Sequence, residues 1–326
     1  MHSELLTERP VAPKLSAQSV QASASGKAII VGEHAVVYGA RAVAMPINSL
    51  QMNVRLTVTQ KYDKNGQPQV RMLIGGRPVT AHLRGVIDDA FTVLDLEPFP
   101  LDMEAHSTVM IGAGLGSSAS LCVVILKAIA ATVGMPMSRF ELANFANQLE
   151  RRFHGNPSGL DTAAVAMGHA ISFAKGGTPT ELAVAAPAGH ESWRFALLDS
   201  GVRSSTLTMI QVAAPYFQGS LGEQRLAAFD SLAESTARGL TLGDQGIVAE
   251  SMKQAGAWLT EAGVVSDALT ELINAATNLG CLAAKSTGAG GGGCVLALLN
   301  REHADAQLVA LRELLGGTKV CAVELR

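Results

Sequence analysis

A glycine-rich segment with the sequence GAGLGSS, at residues 112–118, is the first candidate for chemistry in this chain. Glycines let successive backbone N–H groups point into one concavity, and a helix that begins there adds a partial positive charge, so the segment is suited to bind phosphate. It lacks the lysine that follows the last glycine of a P-loop, and residues 131–137 offer no acid for a ribose as in a dinucleotide fold. The alternative is an ordinary turn in which Ser117 or Ser118 caps the helix.

Two acids further along the chain, Glu150 and Asp161, are candidates for metal binding and base catalysis. Glu150 lies near the C-terminal end of a predicted helix, where the helix dipole disfavours a negative charge. This favours a metal-binding role, and the alternative is an ordinary solvent-exposed glutamate. Serine and carboxylate oxygens are the hard ligands that Mg²⁺ prefers. Asp161 begins a second predicted helix, either as a base for a hydroxyl nucleophile or as a capping acid partnered with Ser158.

The segment GKAIIVGEHAVVYG, at residues 26–39, places three titratable side chains in an apolar run. Lys27 precedes a predicted buried strand, and its alternative role is that of a surface lysine whose stem packs on apolar neighbours. Glu33 and His34 interrupt the apolar run, and buried polar groups need partners. The pair therefore indicates a ligand or an internal polar network.

The segment KSTGAGGGGC, at residues 285–294, contains five glycines in six consecutive positions. Such a run is entropically costly to order, and it lies between a predicted helix and a predicted strand. We expect a loop that approaches another group closely, and the alternative is a flexible hairpin.

The predicted elements fall into a strand-rich first part and a helix-rich second part. Residues 51–60 alternate between apolar and polar side chains, which predicts a half-buried strand. Apolar residues on nearly every face predict a buried helix at 119–133, and a Ser138–Glu141 capping box begins the helix that carries Glu150. The change from strands to helices places a domain boundary within residues 185–192, and residues 1–25 are predicted to form a flexible polar tail.

Composition limits the class of protein. The chain has 326 residues, 48% of them hydrophobic, which excludes disorder over most of its length. Its net charge of −3 and its 4% aromatic content disfavour nucleic acid as a partner. The four cysteines form no CxxC pair, and no uncharged apolar run reaches the ~18–20 residues that span a membrane. With no apolar segment typical of a secretion signal at the N-terminus, we expect a cytoplasmic α/β protein.

Taken together, four motifs resemble those of the GHMP kinase superfamily, in the same order along the chain. They are GKAIIVGEHAVVYG, GAGLGSSAS, ERRFHGNPSGLD and KSTGAGGGGC. The resemblance extends from about residue 26 to residue 298, and the GEHAVVYG and HGNPSGLD forms are similar to the mevalonate kinase branch. Two departures are Ser25 and Met110-Ile111, where the family often has proline, and they bear on loop stiffness more than on chemistry.

The resemblance implies an α+β fold of two domains with the active site in the cleft between them. An N-terminal α/β domain at 26–188 would contain a left-handed βαβ unit, against the usual handedness. A C-terminal α+β domain would occupy 189–326. The implied activity is ATP-dependent phosphorylation of the C5 hydroxyl of mevalonate in isoprenoid biosynthesis, with Mg²⁺ as cofactor and a homodimer as the assembly.

The resemblance also assigns roles residue by residue. Asp161 would accept the hydroxyl proton, with Lys27 beside it. Ser118 and Glu150 would hold Mg²⁺. The residues assigned to nucleotide are Lys27, Ser107, Gly112, Ala113, Gly114, Leu115, Gly116, Ser117 and Ser118. The residues assigned to mevalonate are Glu33, His34 and Thr206, and Arg203 is added because a guanidinium can bind a carboxylate through two hydrogen bonds.

Three alternatives remain open at the sequence level. One is a kinase of the same superfamily acting on another small alcohol, such as a sugar, homoserine or phosphomevalonate. Another is a nucleotide-binding regulator with the same fold and no activity, which the presence of Lys27, Glu150 and Asp161 disfavours. The third is a nicotinamide-dependent dehydrogenase, which the missing ribose-binding acid disfavours.

Overall fold

The computed structural model describes residues 15–326. Within that range the first sheet has seven strands, in the order β4-β3-β5-β2-β6-β7, with β1 paired to β2. These strands are β1 (Ser19–Val31), β2 (Ala42–Val58), β3 (Val70–Ile74), β4 (Arg77–Pro78), β5 (Leu101–Ser107), β6 (Ile171–Phe173) and β7 (Thr180–Glu181). All pairs are antiparallel except β3 with β5, which are parallel.

The parallel pair forms a βαβ unit, because helix α1 (Ala81–Val93) connects β3 to β5. Thr80 caps α1 by accepting a hydrogen bond from the Leu83 backbone N–H. The βαβ unit predicted by the resemblance is therefore present, and its left-handed sense stays a prediction.

Three helices pack beside the first sheet and present residues to the cleft. They are α2 (Ser117–Val133), α3 (Arg139–His154) and α4 (Leu160–Met167). Most of α2 is buried, as its apolar sequence predicts, and the Ser138–Glu141 capping box of α3 is confirmed. Both α2 and α4 begin at a glycine in the left-handed region, which lets the chain turn sharply from loop into helix.

The second sheet has four antiparallel strands in the order β11-β8-β10-β9, within the described residues. These strands are β8 (Trp193–Asp199), β9 (Ala283–Thr287), β10 (Cys294–Leu298) and β11 (Val320–Leu325). The helices of this part are α5 (Thr206–Ala213), α6 (Gly219–Leu242), α7 (Gln245–Glu261), α8 (Asp267–Asn278) and α9 (Ala304–Leu315). Short 3-10 turns occupy Ala35–Tyr38, Ala214–Phe217 and Gly317–Lys319.

Each sheet has a hydrophobic core of its own, and the two sheets also share a third core. The shared core contains Ile30 and Met45 from the first sheet and Phe195 and Leu296 from the second. A buried hydroxyl also ties the sheets together, since Thr287 Oγ1 accepts from the Ile29 N–H at 2.9 Å and lies 3.1 Å from the Ile29 carbonyl oxygen. Strand β1 and the end of β9 are thus held side by side, which fixes the cleft between the two parts.

Two boundaries predicted from sequence can be compared with these elements. The predicted tail ends too late, because β1 begins at Ser19 and pairs with β2 from its first residue. Residues 1–14 of that tail lie outside the described part of the chain. The boundary after residue 188 stays a prediction, and it falls in the interval between β7, which ends at Glu181, and β8, which begins at Trp193. Within residues 15–326, no helix combines the length and apolarity that a membrane crossing requires.

Candidate active site

A pocket of about 380 Å³ opens where the two sheets meet. Its walls come from β1, the start of α2, the facing ends of α3 and α4, the start of α5, and the loop that follows β9. All four sequence motifs therefore contribute residues to a single cavity. The polar and charged side chains among its lining are Lys27, Glu33, His34, Ser117, Ser118, Asn147, Glu150, His154, Asn156, Ser158, Asp161, Thr162, Ser204, Thr206 and Thr287.

The loop before α2 presents its glycines to the pocket and its apolar side chains to the core. Gly112, Gly114 and Gly116 line the pocket with φ values of 70°, 78° and 71°, a region that favours glycine. Ala113 and Leu115 are buried in the core shared by the two sheets. The N-terminus of α2, at Ser117 and Ser118, follows directly. The arrangement suits a loop that offers backbone N–H groups to an anion, although Ala113 and Leu115 contribute no side chain to the pocket.

The glycine-rich segment after β9 packs against this loop, backbone to backbone. A Cβ on Gly288 would lie 2.7 Å from Gly114 Cα, and one on Gly114 would lie 2.9 Å from the Thr287 carbonyl oxygen. A Cβ on Gly293 would lie 2.7 Å from the Ala113 carbonyl oxygen. The close approach expected from this sequence is confirmed, and the segment braces the loop at 112–118 from behind.

Lys27 and Asp161 form an ion pair at the pocket wall. Lys27 Nζ lies 3.1 Å from Asp161 Oδ1 and donates to the Gly114 carbonyl oxygen at 3.0 Å. The lysine is 1% exposed, so it is not a surface side chain, whereas the side chain of Asp161 is 43% exposed. Gly159 occupies the N-cap of α4, and the capping-acid alternative for Asp161 is therefore wrong. A carboxylate with one bound cation and an open face can orient a hydroxyl group and receive its proton.

Glu150 is buried, and neither of its carboxylate oxygens has a hydrogen-bond partner among the described residues. Burial raises its pKa to about 7 and the negative charge of Asp161 adds to the rise, while the Ser118 hydroxyl and Lys27 oppose it. The nearest basic group, His154 Nε2, lies 3.5 Å from Oε2, but burial lowers the pKa of this histidine and favours its neutral form. Two orphaned carboxylate oxygens beside a serine fit a hard cation, and the solvated alternative for Glu150 is wrong.

The raised pKa of Glu150 predicts an unusual dependence of stability on pH. Between its ordinary value of 4.5 and about 7, the folded chain holds a proton that the unfolded chain has released. The stabilisation by this group is therefore complete below pH 4.5 and is lost as the pH rises through 7, by about 3 kcal/mol. Urea titrations without Mg²⁺ or nucleotide should show wild type losing that amount relative to Glu150→Gln between pH 4.5 and 8. Parallel pH profiles would contradict the environment described for Glu150.

Glu33 and His34 follow β1, and both contact the strand and loop of the KSTGAGGGGC segment. Glu33 is 1% exposed, and its Oε1 pairs with Nζ of Lys285, which is completely buried. His34 Nε2 lies 2.9 Å from the Ala289 carbonyl oxygen. A carbonyl can only accept, so Nε2 carries the proton, and burial lowers the pKa of this histidine. The internal polar network that the sequence indicated is present, with Glu33 Oε2 left without a partner.

Two predicted site residues lie outside the pocket. Arg203 donates to both carboxylate oxygens of Asp199, at 2.7 and 2.8 Å, and to the Ile111 carbonyl oxygen. Asp199 therefore occupies the hydrogen-bonding fork of Arg203 in this structure, and the assignment of Arg203 to a substrate carboxylate stays a prediction. The Ser107 hydroxyl donates to the Val109 carbonyl oxygen at 3.0 Å and does not line the pocket. Thr206, in contrast, lines the pocket from the first turn of α5.

Two residues that the sequence analysis did not assign belong to this site. Lys285 supplies the buried cation for Glu33, and the one available signal was that a buried Glu33 requires such a partner. Asn147 lines the pocket and its buried Oδ1 has no partner. It precedes Glu150 by three residues on α3, a spacing that places both on one helix face and could have indicated it.

Comparison with known proteins places the chain in a family. The model for the GHMP kinases N terminal domain matches residues 82–169, and that for the GHMP kinases C terminal domain matches residues 232–316. The mevalonate kinase of Aeropyrum pernix is 28% identical over 312 residues, which cover 91% of this chain and 93% of that protein. The mevalonate kinase of Archaeoglobus fulgidus is 30% identical over 288 residues, covering 86% of this chain and 93% of that protein.

A solved structure shares the overall fold. The crystal structure of L. major mevalonate kinase in complex with R-mevalonate matches with a TM-score of 0.80 and 21% identity, covering 96% of this chain and 99% of the other. The predicted fold, a mixed α/β first domain and a second domain with its own sheet, is confirmed. From its sequence relatives, its matched domains and this fold, the chain belongs to the GHMP kinase family.

Proposed function

We propose that this chain transfers the γ-phosphoryl group of ATP to the C5 hydroxyl of mevalonate. The observation that carries the proposal is the Lys27–Asp161 ion pair, 3.1 Å long, beside a glycine loop at a helix N-terminus. It brings a proton acceptor and a buried cation to the place where a triphosphate would end. The named relatives, which are mevalonate kinases over nearly the whole chain, support mevalonate as the alcohol.

Asp161 would orient the attacking hydroxyl and accept its proton late in the transfer. A carboxylate is a far weaker base than an alkoxide, so it cannot hold that proton before the bond to phosphorus has begun to form. Phosphoryl transfer through a loose transition state depends on position and charge stabilisation more than on a strong base. Lys27 would hold the Asp161 carboxylate in place through their ion pair and offset negative charge on the transferred group.

The loop at 112–118 would bind the phosphates through backbone N–H groups and the N-terminus of α2. Lys27 holds the loop as well, because its Nζ donates to the Gly114 carbonyl oxygen and its backbone N–H donates to the Leu115 carbonyl oxygen. The same lysine thus connects the loop that binds the phosphates with the aspartate that binds the alcohol.

Glu150 and Ser118 would hold Mg²⁺. Among residues 15–326 there is no cluster of three or more His, Cys, Asp and Glu side chains placed to hold a metal. Mg²⁺ does not need one, because it usually binds one or two protein ligands together with phosphates and waters. When bound, the ion would neutralise part of the triphosphate charge beside a glutamate whose oxygens otherwise have no partner among the described residues.

Removing either proposed ligand is expected to raise the Mg²⁺ concentration required. For Glu150→Gln and Ser118→Ala we expect an increase of at least ~10-fold in the half-saturating Mg²⁺ concentration. Calorimetric titration of nucleotide at several Mg²⁺ concentrations gives a readout independent of turnover. Glu104→Gln is the matched control, because Glu104 is a half-buried acid on β5 outside the pocket. Unchanged Mg²⁺ dependence in both pocket variants would remove the ligand assignment.

The direct test is a coupled assay of ADP release with ATP and mevalonate, with and without Mg²⁺. A panel containing a sugar, homoserine and phosphomevalonate tests the competing alcohols, and mevalonate should give the highest kcat/KM. Lys27 is the one fixed cation lining the described pocket, and it is already paired with Asp161. This favours a substrate that does not yet carry a phosphate. Sedimentation of the full chain would test the homodimer, which stays a prediction.

A further inference from the structure

Lys285 is a buried charge in the active site that the proposed mechanism does not use. It lies on β9, is completely buried, and does not line the pocket. Its Nζ donates to Glu33 Oε1 and, at 2.6 Å, to the Ser286 carbonyl oxygen. A lysine is rarely buried this far unless it is paired, and burying a pair costs desolvation of both ions. Such a pair needs a reason beyond stability.

Only one of the two carboxylate oxygens of Glu33, the partner of Lys285, has a hydrogen-bond partner among the described residues. Glu33 lines the pocket, one of its oxygens is bound by Lys285, and the other, Oε2, is buried with no partner among the described residues. An ionised carboxylate accepts through both oxygens, and a buried acceptor left unmatched is costly. An incoming donor from the pocket would remove that cost.

We propose that Lys285 is a positioning residue that fixes Glu33 so that Oε2 accepts a hydrogen bond from the second, non-reacting hydroxyl of the substrate. The inference deepens the proposed function and rests on it. Asp161 already supplies the acceptor for the reacting hydroxyl, so Glu33 is available for the other one of a dihydroxy acid. Because Glu33 follows β1 and Lys285 belongs to β9, the acceptor is in place only when the two parts of the chain are docked.

Three titratable side chains, from β9, β1 and the residue after Glu33, surround the Glu33 carboxylate. Lys285 faces it from β9, Lys27 contributes from β1, and His34 adjoins it in a form that burial keeps neutral. Burial raises the pKa of Glu33, and the two lysines oppose that rise, with Lys285 the stronger. Without Lys285, Glu33 would be protonated at higher pH and would lose its role as a charged acceptor.

The first test is Lys285→Met, which keeps an unbranched side chain one atom shorter and removes its charge. We expect the KM for mevalonate to rise at least ~10-fold, the KM for ATP to change little, and the acidic limb of kcat/KM for mevalonate to move to higher pH. Lys127→Met is the matched control, because Lys127 is a partly buried lysine on α2 that donates to the Ser23 carbonyl oxygen away from the pocket. It should leave both KM values and the pH profile unchanged.

Glu33→Gln carries the test if Lys285→Met does not fold. For wild type, 5-hydroxy-3-methylpentanoate, which lacks the second hydroxyl, should have a kcat/KM at least ~10-fold below that of mevalonate. For Glu33→Gln this discrimination should largely disappear, and adding Lys285→Met should change it no further. Equal discrimination in wild type and Glu33→Gln would overturn the proposal, as would a Lys285→Met enzyme with equal losses for ATP and mevalonate and no pH shift.

Failure of the proposed function would look different. A wild-type enzyme inactive on mevalonate contradicts the substrate assignment. The variants are then compared on the best alcohol of the panel and its deoxy analogue, where the same loss of discrimination supports the role of Lys285 and its absence refutes it.

Discussion

Replacing Asp161 with alanine is expected to lower kcat for mevalonate phosphorylation at least ~100-fold, with little change in nucleotide affinity. Asp161 is the acidic side chain paired with Lys27, at 3.1 Å, and its own side chain is 43% exposed toward the pocket. The loss falls on kcat because orientation and proton acceptance matter during transfer, whereas the phosphates bind through the loop and the α2 N-terminus.

Two further variants identify the cause of that loss. Asp161→Asn preserves the size of the side chain and removes its charge and basicity, so it should be nearly as inactive as Asp161→Ala. Asp102→Ala is the control, because Asp102 is an aspartate paired with Arg71 at 3.0 Å on the first sheet, outside the pocket. Single-turnover kinetics with saturating ATP separate transfer from binding. An Asp161→Ala enzyme as active as Asp102→Ala would remove the base assignment.

The features that sequence predicted best depend on local chemistry. The capping box of α3 needs only Ser138 and Glu141, three residues apart, and it forms as predicted. The glycine loop before α2 and the strand alternation after residue 50 are equally local, since φ preference and side-chain period act within a few residues. Even so, the alternation reveals only the second part of β2. The strand begins at Ala42, and its first part shows no alternation because it is buried on both faces.

The features that sequence missed depend on partners far along the chain. Residues 19–25 read SVQASAS, whose alternation is weak because the apolar positions are mostly alanine, and pairing with β2 makes this segment a strand. Lys285 and Glu33 are 252 positions apart, and no local pattern connects them. The ion pair of Arg203 was also missed, although its partner Asp199 lies only four positions away in the sequence. A residue type that suits a ligand is not free to bind it until its protein neighbours are known.

The brace behind the phosphate loop gives the second large prediction. Gly288 has a φ of +85°, and a Cβ there would lie 2.7 Å from Gly114 Cα and 2.8 Å from the Gly114 carbonyl oxygen. Backbone cannot move aside as a flexible side chain can, so Gly288→Ala should push the loop out of position. Because a displacement of about 1 Å in a positioning element can cost ~100-fold, we expect kcat/KM for ATP to fall by about that factor.

A matched variant separates this clash from the cost of the backbone conformation alone. Gly316 has nearly the same φ, +88°, at the end of α9, and a Cβ there meets nothing within 4 Å. Gly316, with φ 88° and ψ 134°, lies outside the left-handed helical region, so Gly316→Ala should lose about 1–3 kcal/mol of stability and keep its kcat/KM for ATP. Thermal melts and ATP titrations of the two variants provide the comparison. The expected loss depends on the contact of Gly288 with Gly114, and not merely on a glycine at positive φ. If Gly288→Ala keeps its kcat/KM for ATP as Gly316→Ala does, the KSTGAGGGGC segment packs against the loop without positioning it.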